Sequence, residues 1–187
     1  MRYFMRFSYN GSKFNGFQKQ VDKRTVQGDL ESVLSKIFNN IRKTNNNVQA
    51  YMLVGEDKEK IEEYAILLSK ILICPHVYEE NCNKCNICKR IDENTYGELK
   101  IIEPINRIIK KESIIELRDY FKTKSIEGKN EVYIINDAET LNVAAANAIL
   151  KFLEEPDSNA VAIFTTTNLD SVIKTITSRC QLIKTNN

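Results

Sequence analysis

Cys74, Cys82, Cys85 and Cys88 stand within fifteen residues in the pattern C-x7-C-x2-C-x2-C. Two successive C-x2-C steps turn three thiolates inward on one tight loop, and a more distant fourth closes a tetrahedron. Four sulfurs at about 2.3 Å suit a zinc ion and leave no open position for water or substrate, so the expected role is structural. Such an ion would hold together residues 74–88, a polar loop with no core of its own. His76, the chain's single histidine, could take the place of Cys74 in the set. An iron–sulfur cluster and free surface thiols are the competing readings, and no other redox feature accompanies the cysteines. Cys180 is distant in sequence and reads as a small buried side chain.

A second place where chemistry could reside follows the apolar run Tyr51–Val54. A phosphate-binding loop needs glycines whose N–H groups wrap the phosphates, a lysine to neutralise them and a hydroxyl to hold magnesium. The sequence instead reads Gly55-Glu56-Asp57-Lys58-Glu59-Lys60-Ile61-Glu62-Glu63. Ile61 stands where the lysine belongs and Glu62 where the hydroxyl belongs, and the acidic side chains would repel a triphosphate. The run Ile134-Ile135 ends in Asn136 rather than an acid, so it offers no charge to hydrated magnesium. Two independent losses lead to the expectation that the chain binds no ATP. The bland reading of Asp57, Asp137 and Glu139 is acids favoured at helix N-termini by the dipole.

Positioning these residues requires a scaffold. Strands are expected at Tyr51–Val54, Leu99–Ile102, Val132–Ile135, Val161–Thr165 and Gln181–Ile183. Helical periodicity covers about Glu59–Ile73, Glu112–Phe121, Leu141–Glu154 and Asp170–Ile176. Alternation of strands and helices argues for a mainly parallel α/β sheet covered on both faces, whose strands are continuously apolar where fully buried. Sites in such folds gather where strands end and helices begin.

Before this region, residues 1–40 read as one strand (Tyr3, Met5, Phe7 and Tyr9 in alternation), a turn at Asn10-Gly11 and one helix. Residues 41–49 are polar and read as a linker, and residues 50–187 hold the core. Of the 187 residues, 42% are apolar, enough for a core, and the net charge of +2 by itself gives no case for a nucleic-acid binder. No stretch approaches the ~20 apolar residues of a membrane span and no signal-peptide pattern opens the chain, so a cytoplasmic location without membrane contact is expected.

Val132-Tyr133-Ile134-Ile135-Asn136-Asp137-Ala138-Glu139 is followed by Ala145-Ala146-Asn147-Ala148-Ile149-Leu150-Lys151-Phe152-Leu153-Glu154-Glu155-Pro156. Then come Phe164-Thr165-Thr166-Thr167-Asn168 and Thr177-Ser178-Arg179-Cys180-Gln181. In this order, with a four-cysteine module and a degraded phosphate loop, residues 48–184 closely resemble the bacterial clamp-loader AAA+ subunits of DNA polymerase III. The resemblance implies a three-layer P-loop-NTPase-like sheet with an inserted zinc module at 74–88. It also implies a subunit that hydrolyses no ATP but offers Arg179, the arginine of a Ser-Arg-Cys motif, in trans to ATP held by a neighbour. A guanidinium so placed stabilises charge on the transferring phosphoryl group. The implied partners are loader ATPase subunits and the other loader subunits, with the sliding clamp and primed DNA indirectly. Asn168 falls near the family's sensor position and is expected to be structural where no ATP is bound.

Residues 1–38, from Phe7-Ser8-Tyr9-Asn10-Gly11-Ser12-Lys13-Phe14 to Arg24-Thr25-Val26-Gln27-Gly28-Asp29-Leu30-Glu31, resemble the start of TruA-type tRNA pseudouridine synthases. In that family a catalytic aspartate follows in a Gly-Arg-Thr-Asp-type motif. None follows here, and uridine isomerisation needs that carboxylate. Lys13, Lys19, Lys23 and Arg24, interleaved with Phe14 and Phe17, could contact RNA within residues 13–24; a solvated basic loop is the plainer reading. The function expected is a non-hydrolysing clamp-loader subunit. The alternatives are a tRNA-binding TruA-like fragment and a zinc-stabilised interaction module.

Overall fold

The computed structural model of the protein describes residues 49–76, 85–123, 131–154 and 160–185. They belong to one compact unit, Val48–Asn186. The expected strand-loop-helix segment 1–40, most of the linker and the basic residues 13–24 lie outside the described residues.

Five strands, β1 (Ala50–Val54), β2 (Leu99–Ile102), β3 (Val132–Ile135), β4 (Val161–Thr166) and β5 (Gln181–Lys184), form one sheet in the order β2-β3-β4-β1-β5. Every pairing is parallel, with Leu53 opposite Thr165 and Ile183, and Ile135 opposite Phe164 and Ile102. Strands buried on both sides read as unbroken apolar runs, and β3 (Val-Tyr-Ile-Ile) is buried at all four positions. The expected strands appear, with β1, β4 and β5 each longer by one residue.

The helices are α1 (Lys58–Ile73), α2 (Asn86–Asp92), α3 (Lys111–Thr123), α4 (Val143–Glu154) and a single turn, α5 (Lys174–Thr177). On one face of the sheet Met52, Tyr133, Ile135, Ala162 and Phe164 pack with Ile114, Leu117 and Phe121 of α3 and with Ala145, Ala146, Ile149 and Phe152 of α4. Tyr133 stacks on Phe152 with ring centroids 5.3 Å apart. Helix α1 packs on β1, β3 and β4 and buries Ile61, Ala65 and Leu68, at the i, i+4, i+7 spacing of one helical stripe. Among the described residues no helix is long and apolar enough to cross a membrane.

The helix expected at Asp170–Ile176 is instead a 3-10 turn at Leu169–Ser171, two extended residues and the single turn α5. Val172 and Ile173 are β-branched and lose side-chain freedom in a helix, and Val172 is anchored in the core. Helix α4 starts two residues later than its periodicity suggests, because Asn142 caps it: its Oδ1 accepts from Ala145 N at 2.8 Å. Helix α2, inside the cysteine segment, has too short an apolar pattern to stand out in the sequence.

Candidate functional site

The parallel register brings the C-terminal ends of β1, β3 and β4 together, the edge at which a nucleotide-binding fold places its phosphates. Only Gly55, Glu56 and Asp57 separate β1 from α1. Asp57 is the N-cap of α1, its Oδ1 accepting from Lys60 N at 3.3 Å, which draws the helix tight against the strand end. Gly55 is closed in by the chain beyond β5. Thr185 N and Oγ1 both donate to Val54 O, at 2.8 and 3.1 Å. A Cβ on Gly55 would lie 2.1 Å from Thr185 Oγ1. Ile61, at the position a phosphate-binding lysine would hold, is buried in the core.

Behind this junction Lys58 Nζ pairs with Asp137 Oδ2 at 2.5 Å and reaches Glu62 Oε1 at 3.7 Å. The Asp137 hydrogen bond is the main reason the Lys58 ammonium is held above the usual lysine range. Burial pushes the Glu62 carboxyl up, Lys58 opposes this, and Asp137 and Glu103 add to it. Asn136 is buried and its Oδ1 accepts from Thr165 Oγ1 at 3.1 Å, while the same hydroxyl accepts from Asp137 N at 3.2 Å. Glu59, Glu62, Glu63 and Glu103 line a cleft of about 430 Å³ beside Asn136. The place where phosphate and magnesium would sit is thus a short capped turn flanked by carboxylates.

Asp137 is not the ordinary helix-start acid expected of it. Its backbone is left-handed (φ 51°), it makes no side-chain cap, and its carboxylate serves Lys58. The pair lies 79 residues apart in sequence, so no spacing rule could have found it.

If the junction is closed by contact, Gly55→Ala should cost on the order of 1 kcal/mol in urea unfolding, since Thr185 must turn away and lose its hydroxyl bond. In a Thr185→Ala background most of that cost should disappear. Equal stability of Gly55→Ala and the parent chain would show that the contact does not close the turn.

Three of the four clustered cysteines meet. The Sγ atoms of Cys74, Cys85 and Cys88 all lie within 4.8 Å of one another, with Cys74 to Cys85 at 3.5 Å. Ligands at ~2.3 Å around a tetrahedral zinc stand about 3.8 Å apart, so the triad fits such an ion. Cys82 lies outside the described residues. Cys74 is the C-cap of α1 and Cys85 the N-cap of α2, its Sγ accepting from Cys88 N at 3.4 Å. Burial works to raise the Cys85 thiol, but the Cys88 backbone N–H, with the Cys74 and Cys88 side chains, holds it below the usual value. Lys70 Nζ and Asp92 Oδ1, 2.6 Å apart, tie the same two helices. Among the described residues His76 is not in this group, and Cys74, which it was to replace, is. Cys180 packs against the core, where burial pushes its thiol up to about 12.

Arg179 follows the turn α5 and precedes β5, with its side chain 41% exposed. Its Nη2 donates to Glu154 Oε1 at 2.5 Å and its Nη1 to Thr175 O at 3.0 Å. Glu154 is the last described residue of α4, so this helix holds a guanidinium presented just beyond α5. Asn168 occupies the N-cap position of the 3-10 turn after β4 without a side-chain capping bond, its N–H donating to Thr166 Oγ1 at 3.0 Å.

A family model described as DNA polymerase III, delta subunit, matches residues 30–187. The DNA polymerase III subunit delta' of Bacillus subtilis is 33% identical over 151 residues, 81% of this chain and 46% of that protein. The subunit gamma of Buchnera aphidicola is 34% identical over 136 residues, 72% of this chain and 37% of that protein. The crystal structure of a gamma subunit-related protein from Thermotoga maritima superposes with a TM-score of 0.61 at 22% identity, over 82% of this chain and 46% of that chain, a likeness of fold. The chain spans less than half the length of each of these relatives. They lend no support to the TruA-type resemblance of residues 1–38, and the family match begins inside that stretch, at residue 30. A match over most of the sequence, with a delta' protein among its relatives, makes this chain a member of the DNA polymerase III delta-subunit family, of the delta-prime kind.

Proposed function

We propose that the chain is a clamp-loader subunit of bacterial DNA polymerase III that binds no ATP itself and presents Arg179 to ATP held by a neighbouring subunit. Its partners are the ATPase and other subunits of the loader, and through them the sliding clamp and primed DNA. The observation that carries this reading is the closed β1–α1 junction. Three residues cannot wrap a phosphate, Thr185 occupies the approach to Gly55, and carboxylates surround the site. A subunit of this family in that condition can contribute to ATP chemistry by acting on a nucleotide bound elsewhere, and the exposed guanidinium of Arg179 is chemically suited to it.

Zinc belongs to the same reading. Cys74, Cys85 and Cys88 would supply three thiolates and Cys82 the fourth, and a four-sulfur set has no coordination position for catalysis. The ion would join the end of α1 to the start of α2.

Titration with a fluorescent ATP analogue and magnesium tests the first half of the proposal. The isolated chain should show no saturable binding below about 1 mM, a Kd that corresponds to only ~4 kcal/mol, while the matching ATPase subunit saturates in the same assay. Micromolar binding that is lost in Lys58→Ala would place a working nucleotide site at the junction and overturn the reading.

A further inference from the structure

We infer that Glu154 is a positioning residue for Arg179, holding the guanidinium in the place from which it reaches a neighbour's phosphates. This rests on the assignment of Arg179 as the residue that acts in trans. Three features of Glu154 carry it.

The first is its position. A carboxylate in the last turn of a helix faces the negative end of the dipole, an unfavourable placement for helix stability. Glu154 stands in the last described turn of α4, two residues before Pro156, a residue type that does not continue a helix. Helix stability therefore does not explain an acid at this point, whereas a guanidinium at hydrogen-bond distance does.

The second is geometry. Nη2 of Arg179 meets Glu154 Oε1, and Nη1 meets Thr175 O at 3.0 Å, so both terminal nitrogens are fixed by acceptors from two different elements. A guanidinium carries five N–H groups, and two bonds leave three for another anion. The carboxylate thus fixes the plane of the group without using up its capacity for phosphate.

The third is energy. The two side chains are 41% and 53% exposed, and an exposed pair contributes little to folding. It is also weak enough for the guanidinium to be shared with a triphosphate. What such a pair can supply is order in a side chain that otherwise loses much rotamer entropy on binding. Sequence alone gave no hint of it: Glu154 stands there only as one of two adjacent acids in the family motif.

The test measures ATP turnover of the matching loader, with sliding clamp and primed DNA, as this chain and its variants are titrated in. Glu154→Gln should lower the stimulated turnover about 3- to 10-fold. The concentration for half-maximal stimulation and the melting temperature should stay unchanged. Glu154→Asp should recover part of the loss, and Glu154→Gln should have no further effect in an Arg179→Ala background. Full stimulation by Glu154→Gln, while Arg179→Ala has lost it, overturns the positioning role and leaves the trans-acting arginine standing. Increased turnover in Glu154→Gln overturns it too, because Glu154 would then restrain Arg179. A loss by Glu154→Gln that persists in the Arg179→Ala background assigns the effect to Glu154 itself and likewise overturns it. Full stimulation by Arg179→Ala overturns the trans-acting arginine and this inference together.

Discussion

Arg179→Ala is expected to bring the ATP turnover of a loader containing this chain down to the level seen without the chain, while the melting transition barely moves. The two effects separate because their magnitudes differ so widely. The side chain is 41% exposed and its ion pair among the described residues is with a 53% exposed Glu154, so its loss costs the fold at most about 1 kcal/mol. An arginine delivered in trans to a phosphoryl group in transfer is worth on the order of 10³ or more in turnover at the site it reaches. Arg179→Lys should recover little of this, because an ammonium lacks the planar fork that spans two phosphate oxygens. The titration midpoint should be the same for parent and variant, which separates a defect in chemistry from a defect in assembly. A variant that stimulates as well as the parent chain would falsify the assignment. A variant that melts several degrees lower would assign Arg179 to folding instead.

The two ends of α4 show what the sequence can and cannot reveal about such a site. Its interior was legible as a helix because Ala145, Ala146, Ile149, Phe152 and Leu153 keep a buried stripe. Its start was displaced by Asn142, whose capping bond outweighs the apolar Leu141 before it. Its last described residue gave no sign of its partner, since Glu154 and Arg179 are 25 residues apart in sequence and only the fold brings them together. The same holds at the nucleotide edge. The missing lysine and acid were visible as residue types at fixed offsets from β1 and β3, because a phosphate loop is a local motif. The Lys58–Asp137 pair and the Thr185 contact at Gly55 depend on strand order, which brings residues 55, 137 and 185 to one edge. Asp170–Ile176 failed in the opposite sense: an apparent helical period there reflects Val172 and Ile176 reaching the core from separate turns.

Cys85→Ser is the substitution that would most sharply separate a metal centre from a cluster of thiols. Serine is among the best helix N-caps, and Cys85 is the N-cap of α2, so by capping alone the change should be neutral or slightly stabilising. If the sulfurs hold zinc, the same change removes a ligand, and structural zinc sites contribute on the order of 10 kcal/mol to the order of the segment they bind. Helix α2 has seven residues, too few to persist without tertiary support, and among its side chains only Cys88 and Ile91 are buried. The Lys70–Asp92 pair remains in the variant, but a half-buried ion pair offsets little more than its own desolvation. The parent chain should therefore carry about one zinc per molecule by elemental analysis. Cys85→Ser should lose most of that metal together with the amide protection of α2 in hydrogen exchange, whereas Cys180→Ala, outside the group, should keep it. Metal-free parent protein with α2 fully protected would mean that the three sulfurs meet as thiols without a metal, and that contacts such as the Lys70–Asp92 pair suffice to hold α2 in place.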